Sequence, residues 1–352
     1  MSRRTVAGLL AFGLVVVLTI CAALVNVPYV RFRPGPTINV LGPFEGKQII
    51  DISGRKVYKD TGGLRMVTII PDGPKDHVSL LDAMIAWANP DDALIPYDAL
   101  YKKAQSNAQV QQQSAVEMTS SQDNATAAAL DALHIKYRTD VVVSLVDPKG
   151  ASAGILKKGD VLTAVDGKAT ADATALVSAI RAVKPGDKVA LTVRRGSTTQ
   201  VFSVVTRPAA DNKKQSRVGV SIAQKFIYPF TVKVQLPETI GGPSAGMMFA
   251  LTIYDLLTPG SLTGGQTIAG SGEISADGVV GPIGGIGQKL AGAQRDGARL
   301  FLVAQENCAE AERSHYDRDK LRLVKIHTLD DAIKAVDTWR ENPKASLPRC
   351  GK

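Results

Sequence analysis

A serine beside a glycine-rich turn is the first residue of this sequence that could do covalent chemistry. Ser244 lies in the stretch Ile240-Gly-Gly-Pro-Ser-Ala-Gly246 and opens an apolar run, which predicts a buried helix that begins at Ser244 itself. Free backbone N–H groups in the first turn of such a helix stabilise a tetrahedral oxyanion, and Gly242, Pro243 and Ala245 would form this loop. The alternative for Ser244 is a plain helix N-cap, a common position for serine.

Lys289 is the second such residue, because it could serve as the base that a serine nucleophile needs. It follows Gly281-Pro-Ile-Gly-Gly-Ile-Gly-Gln288 at the start of a predicted helix. Its neighbours three and four positions away are glycine, isoleucine and alanine, so it is expected to face inward without a carboxylate on its own helix. Burial lowers the pKa of a lysine and favours the neutral amine that accepts a proton from a hydroxyl. The pair predicts acyl transfer.

These two segments resemble the proteolytic domain of Lon proteases. That family places a serine in a Gly-Pro-Ser-Ala-Gly motif and a lysine just after Pro-Ile-Gly-Gly, as at Ser244 and Lys289 here. The resemblance implies that Ser244 is the nucleophile and Lys289 the general base. It also implies that Ser271, where the family usually has threonine, helps to orient the lysine.

No metal or cofactor is expected for this chemistry. The four histidines stand apart from one another and show no metal-ligand spacing with the cysteines. A Gly-x-x-x-x-Gly-Lys-[Ser/Thr] loop, which cradles phosphates, does not occur in the 352 residues. The sequence therefore predicts an ATP-independent endopeptidase that acts on unfolded or flexible protein segments.

A second module is recognisable at residues 138–210. The stretch Gly150-Ala-Ser-Ala-Gly-Ile-Leu-Lys-Lys-Gly-Asp-Val-Leu-Thr-Ala-Val-Asp-Gly167 is similar to the short helix, loop and strand of PDZ domains. A β-branched strand at 141–146 precedes it, and a helix at 171–183 follows. The resemblance implies a PDZ domain inserted within the Lon-like proteolytic domain.

PDZ domains bind an extended peptide by adding it as a strand beside a helix. Here the groove is expected between the early strand and the helix at 171–183. The resemblance then implies Arg138, Val141 and Val142 as peptide-binding residues. A Gly-Leu-Gly-Phe-type loop is missing before Val141, and Arg138 is the substitute for capturing a carboxylate.

The beginning of the chain predicts a membrane segment. Residues 5–30 carry no charge, and about 20 apolar residues suffice to cross a bilayer. A cleaved signal peptide is the alternative, because Arg3 and Arg4 precede the run. The run exceeds the apolar region of a signal peptide, which favours an anchor. The flanking charges favour a single-pass protein of the cell membrane with its catalytic body on the extracytoplasmic side.

Composition and cysteines set further limits. The net charge is +9, but the basic residues are scattered and aromatics make up only 5%, which excludes a nucleic-acid-binding stripe and favours acidic headgroups or cell-wall polymers. Cys21 lies in the apolar run. Cys308 and Cys350 form a disulfide if the body faces an oxidising compartment, and two free thiols are the alternative.

The predicted fold class is α/β (α+β), with an N-terminal transmembrane helix and a Lon-type proteolytic domain that holds an inserted PDZ domain. Expected partners are protein or peptide substrates, the bacterial membrane and, by resemblance, further copies of the chain in a ring such as a hexamer. The predicted ranges are 1–33 for the cytoplasmic tail and anchor, 34–137 for the first part of the proteolytic domain, 138–210 for the PDZ domain, 211–342 for the catalytic part and 343–352 for a tail.

Two other functions remain open from the sequence. Gly242-Pro-Ser-Ala-Gly246 also fits the Gly-x-Ser-x-Gly turn of α/β-hydrolases, with Asp317 and His327 completing a triad. A non-catalytic PDZ scaffold at the membrane is the other alternative.

The aromatic residues Trp87, Tyr97 and Tyr101 either cover the core as a lid or touch the membrane surface.

Overall fold

A computed structural model describes residues 2–102, 105–237 and 239–351 of the chain. Residues 1 and 352, at the outer ends of the predicted ranges 1–33 and 343–352, lie outside the described residues. So do residues 103, 104 and 238. The α-helices are α1 (Arg3–Leu24), α2 (Leu80–Ala88), α3 (Tyr97–Leu100), α4 (Asn107–Ala132), α5 (Ala173–Ala182), α6 (Gly246–Leu257), α7 (Ile286–Arg295), α8 (Cys308–Arg313) and α9 (Leu329–Glu341), with 3-10 helices at Pro243–Ala245 and Gln305–Asn307.

The strands fall into longer ones, which carry labels, and two-residue ones. The labelled strands are β1 (Tyr29–Asn39), β2 (Ile50–Ser53), β3 (Gly63–Pro71), β4 (Ala93–Pro96), β5 (Arg138–Val146), β6 (Val161–Val165), β7 (Lys188–Arg195), β8 (Thr198–Val205), β9 (Val220–Ile227), β10 (Thr231–Val234), β11 (Thr267–Ser271), β12 (Leu300–Ala304) and β13 (Arg322–Ile326). The short strands are Asn26–Val27, Pro43–Phe44, Lys47–Gln48, Val78–Ser79, Lys168–Ala169, Arg207–Pro208, Ser216–Arg217, Glu273–Ile274 and Val280–Gly281.

The chain divides into two compact units. The first comprises the residues up to Ile135 together with those from Phe230 onward, and the second comprises Lys136–Pro229. The second unit is therefore inserted in sequence within the first. It extends past the predicted boundary at residue 210, because β9 pairs along the length of β5.

The first unit is built on a six-stranded mixed sheet in the order β13-β12-β11-β3-β1-β4. The first four strands are parallel, while β1 pairs antiparallel with both β3 and β4. The carboxyl ends of β11, β12 and β13 therefore lie at one edge of the sheet. Side chains of successive residues point to opposite faces, so each of these strands meets a helix layer on both sides.

Helices α6 and α7 cover the two faces of this sheet. Ala269 in β11 packs with Ile286 and Leu290 of α7. The next residue, Gly270, faces α6 so closely that a Cβ there would lie 2.8 Å from the ends of Met247 and Met248. Nearly every side chain of α6 is buried, which fits its apolar sequence on all sides. The predicted buried helix is confirmed.

The second unit is an antiparallel sheet in the order β8-β7-β6-β5-β9, with α5 packed against it. Its core is aliphatic and includes Val143, Leu176, Val189 and Leu191, all nearly inaccessible to solvent. Strands β7 and β8 form a hairpin and are paired over their whole length.

Helix α1 is long and apolar enough to cross a membrane, with a mean hydropathy of 2.6 over its best window and no buried residue. Its length and composition fit either a membrane anchor or a signal sequence.

A disulfide joins Cys308 to Cys350 in the first unit and connects the C-terminal segment to α8. Of the two alternatives left open by the sequence, a disulfide or two free thiols, the structure has the disulfide.

Candidate active site

Ser271 lies where the two helix layers meet the carboxyl end of the sheet. It is the last residue of β11 and is fully buried. Its hydroxyl donates to the backbone oxygen of Ser244 at 3.0 Å and accepts from Lys289 Nζ at 3.1 Å. One hydroxyl thus links the segment before α6 on one face of the sheet to α7 on the other.

Lys289 is buried in the first turn of α7, with 2% of its surface exposed. The predicted inward position is confirmed, and its physical origin is the small and apolar neighbourhood of α7. Burial lowers the pKa of Lys289 to about 7, against the opposing attraction of Glu273 and Glu310. A substantial share of the amine is therefore neutral at neutral pH.

Ser244 is the middle residue of the 3-10 helix Pro243–Ala245, and α6 begins only at Gly246. The prediction that Ser244 itself begins the buried helix is therefore wrong by two residues. Gly242 has a φ of 88° and the next residue is proline, so the chain closes a tight turn before the α-helix starts. No side-chain cap bond is present at the start of α6, so Ser244 does not act as its N-cap.

The structure brings Ser244 and Lys289 to the same hydroxyl. In the described part of the chain, however, no hydrogen bond joins Ser244 Oγ directly to Lys289 Nζ; the amine donates to Ser271. The segment around Ser244 is held by further bonds from its neighbours. Gly272 N donates to Ser244 O at 3.0 Å, and Ser121 Oγ donates to Pro243 O at 3.0 Å.

The backbone donors of the predicted oxyanion loop differ in availability. Gly242 N already donates to Ser114 O at 3.0 Å, and Pro243 has no N–H. Farther along, Gly246 N donates to Pro243 O, and Met247 N donates to Gly272 O at 3.1 Å. The i→i+3 bonding of the 3-10 helix also engages the N–H of Ala245, so the donor role predicted for this loop narrows to the N–H of Ser244.

Two carboxylates whose charges act on Lys289 were missed by the sequence analysis. Glu273 follows β11 after one glycine, and its pKa is raised by burial and by the charge of Glu117, while Lys289 opposes the shift. Glu310 lies in α8 and raises the pKa of Lys289. Helix periodicity identifies only those neighbours of Lys289 that lie on its own helix. The position of Glu273, two residues after Ser271, was the available signal.

The hydrolase triad is not brought together. Asp317 forms an ion pair with Lys320 at 2.9 Å, and the backbone of His327 is bonded to Asp331 and Val280. Strand β10 ends at Val234, well before the serine, so no strand runs straight into it. Among the described residues, no three His, Cys, Asp or Glu side chains are grouped to hold a metal ion.

The second unit contains a cleft of about 510 Å³ between α5 and β9. Its walls include Leu176, Val177 and Ile180 from α5 and Val220 and Ile222 from β9. In this sheet β9 is one of the two edge strands. An extended peptide can therefore add to β9 and place side chains against α5.

The peptide-binding role predicted for Val141 and Val142 is wrong, because β5 is an inner strand of the sheet and has no free edge to which a peptide could add. Val142 pairs with Val161 of β6 on one side and with Ala223 of β9 on the other. Arg138 lies at the start of the same strand, in an ion pair with Asp140 at 3.3 Å, and its predicted binding of a carboxylate stays a prediction. Sequence reasoning missed β9 because its pairing partner lies far away along the chain.

Comparison with protein families identifies a PDZ domain, with residues 109–206 matching the family model. The predicted PDZ domain is confirmed, although its structural limits differ from those of the match. The matched stretch begins within α4, which packs on α6 in the first unit, and it ends before β9. A solved PDZ domain of an SdrC-like protein from Listeria monocytogenes is 21% identical, covers 24% of this chain and 86% of its own, and has a TM-score of 0.22.

The chain is also distantly similar to Lon proteases. It is 27% identical over 184 residues to the Lon protease of Azorhizobium caulinodans, 30% over 167 residues to that of Campylobacter concisus and 35% over 96 residues to that of Paraburkholderia phytofirmans. The matches cover 51%, 40% and 27% of this chain but only 21%, 19% and 12% of the three relatives. The similarity to a serine peptidase is thus confined to a part of those proteins.

Proposed function

We propose that this protein is a membrane-anchored serine endopeptidase in which Ser244 is the nucleophile and Lys289 the general base. The observation that carries the proposal is the buried amine of Lys289, bonded to a hydroxyl that is itself bonded to the backbone of Ser244. The similarity to Lon proteases supports it. Among the described residues no carboxylate lies at ion-pair distance from this buried lysine, which is costly, so a chemical role explains its presence better than stability does.

The neutral amine performs the proton transfer. One N–H of Lys289 donates to Ser271 Oγ, which orients the amine and leaves its lone pair free for the proton of Ser244 Oγ. As that proton leaves, Ser244 Oγ attacks the peptide carbonyl, and the N–H of Ser244 donates to the oxyanion. The ammonium then protonates the departing amine. A water molecule, deprotonated by the same amine, hydrolyses the acyl-enzyme.

The substrates we propose are flexible or unfolded protein segments, cleaved without ATP. A deacylation and proton-transfer cycle on Ser244 and Lys289 needs no nucleotide, and the sequence contains no phosphate-cradling loop. The PDZ domain captures or presents the segment. The resemblance further implies that several copies of the chain assemble as a homo-oligomer.

We place the body on the extracytoplasmic side of the cell membrane, with α1 as a single-pass anchor. The disulfide between Cys308 and Cys350 supports this placement, since such bonds persist in oxidising compartments. The apolar length of α1 fits a membrane span, and the arginines at its start support the same orientation.

The test is the cleavage of unfolded casein by the full chain and by its Ser244→Ala variant. We expect the substitution to lower the rate at least about a thousandfold, because the nucleophile is lost. Ser346→Ala, which removes an exposed hydroxyl outside the site, is the matched control and should cleave like the wild type. Addition of ATP should leave the wild-type rate unchanged. Equal cleavage by wild type and Ser244→Ala would refute the proposal and leave a non-catalytic PDZ scaffold.

The peptide groove can be tested separately. Val177 is a partly exposed α5 residue in the cleft, and Val177→Glu would put a charge where the added strand packs. We expect the affinity of the Ser244→Ala chain for labelled casein peptides to fall roughly tenfold or more, a loss of at least about 1.4 kcal/mol. Val201→Glu, on β8 at the opposite edge of the same sheet, is the control. Equal losses in both variants, or none in either, would place peptide binding elsewhere.

A further inference from the structure

Helix α2 exposes an apolar face to solvent in the structure. Met84 is 57% exposed, Ile85 52% and Trp87 86%, with Leu80 at 39%. Leu80, Met84 and Trp87 follow one another at four and three residues, so they form one stripe of the helix, and Ile85 lies beside it. Large apolar side chains grouped in this way usually mark a surface that something else covers.

The opposite face of α2 fixes it to the protein. Ala83 and Ala86 are buried, and the small size of both side chains brings the helix close to the body. A capping box between Ser79 and Asp82 locks the first turn, with Asp82 N donating to Ser79 Oγ at 3.0 Å. Asp82 is the only charged residue of α2 and is occupied by this cap. The exposed face therefore belongs to a well-anchored helix.

The three aromatic residues expected to form a lid over the core differ in burial: the two tyrosines cover it and the tryptophan does not. Tyr101 is 7% exposed and donates its hydroxyl to Asp72 O at 2.7 Å, so it does cover the core. Tyr97 packs edge-on against Tyr101 and donates to Pro74 O at 2.9 Å. Trp87 covers nothing, because most of its ring faces outward. The membrane alternative is thus the one that remains for Trp87.

The position of α2 relative to α1 indicates what covers it. Leu80 N donates to Val25 O at 2.8 Å, and Val25 is the residue that ends α1. The short strands Asn26–Val27 and Val78–Ser79 pair beside this bond, and α2 contacts α1 itself. Any bilayer that receives the apolar α1, which has no buried residue, therefore lies against α2.

We propose that the apolar face of α2, formed by Leu80, Met84, Ile85 and Trp87, inserts into the lipid bilayer at its interface with water. The helix lies along the membrane surface, with Trp87 at the level of the headgroups and upper acyl chains, where tryptophan is favoured. Since the one charged residue of α2 is used in its cap, the attraction is apolar rather than electrostatic. This contact is independent of peptide-bond hydrolysis.

Tryptophan fluorescence provides a direct test, because the chain has only two tryptophans. Trp339 is 7% exposed and donates to Gln266 at 2.7 Å inside the protein, so Trp339→Phe leaves Trp87 as the sole emitter. The full-length variant is reconstituted in phosphatidylcholine vesicles whose acyl chains are brominated either near the headgroup or near the chain end. We expect a blue-shifted emission that loses about half or more of its intensity with the shallow label and less with the deep one.

Two controls separate insertion from mere proximity to α1. Trp87→Phe, which keeps Trp339, should show no quenching by either lipid. In the Trp339→Phe background, the added pair Met84→Glu and Ile85→Glu changes only exposed side chains and should abolish the quenching of Trp87 and shift its emission to the red. Retained quenching with both glutamates would overturn the proposal.

The remaining outcomes identify other occupants of this face. Blue-shifted emission without bromine quenching would mean that protein covers it, either a second copy of the chain or a partner. Red-shifted emission that aqueous iodide quenches would mean that it stays in water. Either result would overturn the proposal.

Discussion

Replacing Lys289 with methionine is expected to abolish peptide-bond hydrolysis and to raise the free energy of unfolding at neutral pH. Methionine fills a similar volume without an amine, so the proton acceptor for Ser244 disappears. The buried charge disappears as well. Since one pKa unit corresponds to about 1.4 kcal/mol, we expect the first unit to gain about 2–4 kcal/mol at pH 7. A residue that lowers stability but is required for activity is typical of a catalytic group.

The sign of the pH dependence follows from the lowered pKa. The folded protein releases its proton near pH 7, while the unfolded chain holds it up to its ordinary value of 10.5. Between these values the unfolded state binds more protons, so the free energy of unfolding rises with pH. The destabilisation caused by burying Lys289 is therefore fully present below about pH 7. The gain from methionine should therefore be largest at pH 6–7 and vanish towards about pH 10.

Activity should follow the neutral form of the same amine. We expect casein cleavage by the wild type to rise with pH through a midpoint near 7, as the lysine loses its proton. Lys289→Arg should be inactive at every accessible pH, because a guanidinium does not release its proton. Urea unfolding at a series of pH values and initial cleavage rates are the two measurements. An active Lys289→Met variant, or one less stable than the wild type at pH 7, would contradict this role.

Much of this site could be predicted because local sequence determines it. The glycine-rich turns, the apolar run after Ser244 and the small neighbours of Lys289 are each legible within a few residues. They predicted the buried helix and the inward lysine. Even so, the start of α6 was misplaced, since a Gly-Gly-Pro sequence can close a 3-10 turn before the α-helix begins. Local patterns do not decide between those two geometries.

What could not be predicted depends on contacts between distant segments. Because β9 pairs with β5, the edge of the sheet beside α5 is β9 and not the strand that carries Val142. The sequence analysis had assigned β9 to the catalytic part of the proteolytic domain. Glu310 reaches Lys289 from another helix, and the two cysteines meet only in the folded chain. Periodicity reports which face of an element is apolar, but it does not report which element that face will meet.

A carboxyl pair at the far end of α6 belongs to the same class of distant contacts. Asp255 is 2% exposed in the last turn of α6, and its Oδ1 accepts from Leu262 N at 3.0 Å. Its Oδ2 is buried without a hydrogen-bond partner in the described ranges. Asp60 lies nearby and accepts from Ser261 Oγ at 2.6 Å and from Thr263 Oγ at 2.9 Å.

The two carboxyls divide one proton between them. Burial, together with the charge of Asp60, raises the pKa of Asp255 to about 7. Burial also acts on Asp60, but the hydrogen bonds from Ser261, Gly62 and Thr263 outweigh it and lower the pKa of that carboxyl. Asp60 therefore stays ionised, and Asp255 holds the proton up to neutral pH.

Asp255→Asn is consequently expected to stabilise the protein above neutral pH. The folded state keeps a proton on Asp255 up to about pH 7, whereas the unfolded chain loses it near 3.8. Wild-type stability therefore falls as pH rises between these values, and the loss is complete above about pH 7. Asparagine cannot ionise, and it keeps the oxygen that accepts from Leu262. We expect a gain of about 2–4 kcal/mol at pH 8 and little difference near pH 4.

The two substitutions are controls for each other, because their pH dependences have opposite signs. The advantage of Lys289→Met should shrink from pH 7 to 10, while that of Asp255→Asn should grow from pH 4 to 8, in the same urea unfolding experiment. A destabilised Asp255→Asn protein at pH 8 would show that Asp255 is ionised and held by a positive partner. With both signs as expected, the stability lost through Asp255 is complete by about pH 7, and the unfolded chain's protonated Lys289 makes stability rise again above that pH. Neither group therefore limits the activity on the alkaline side.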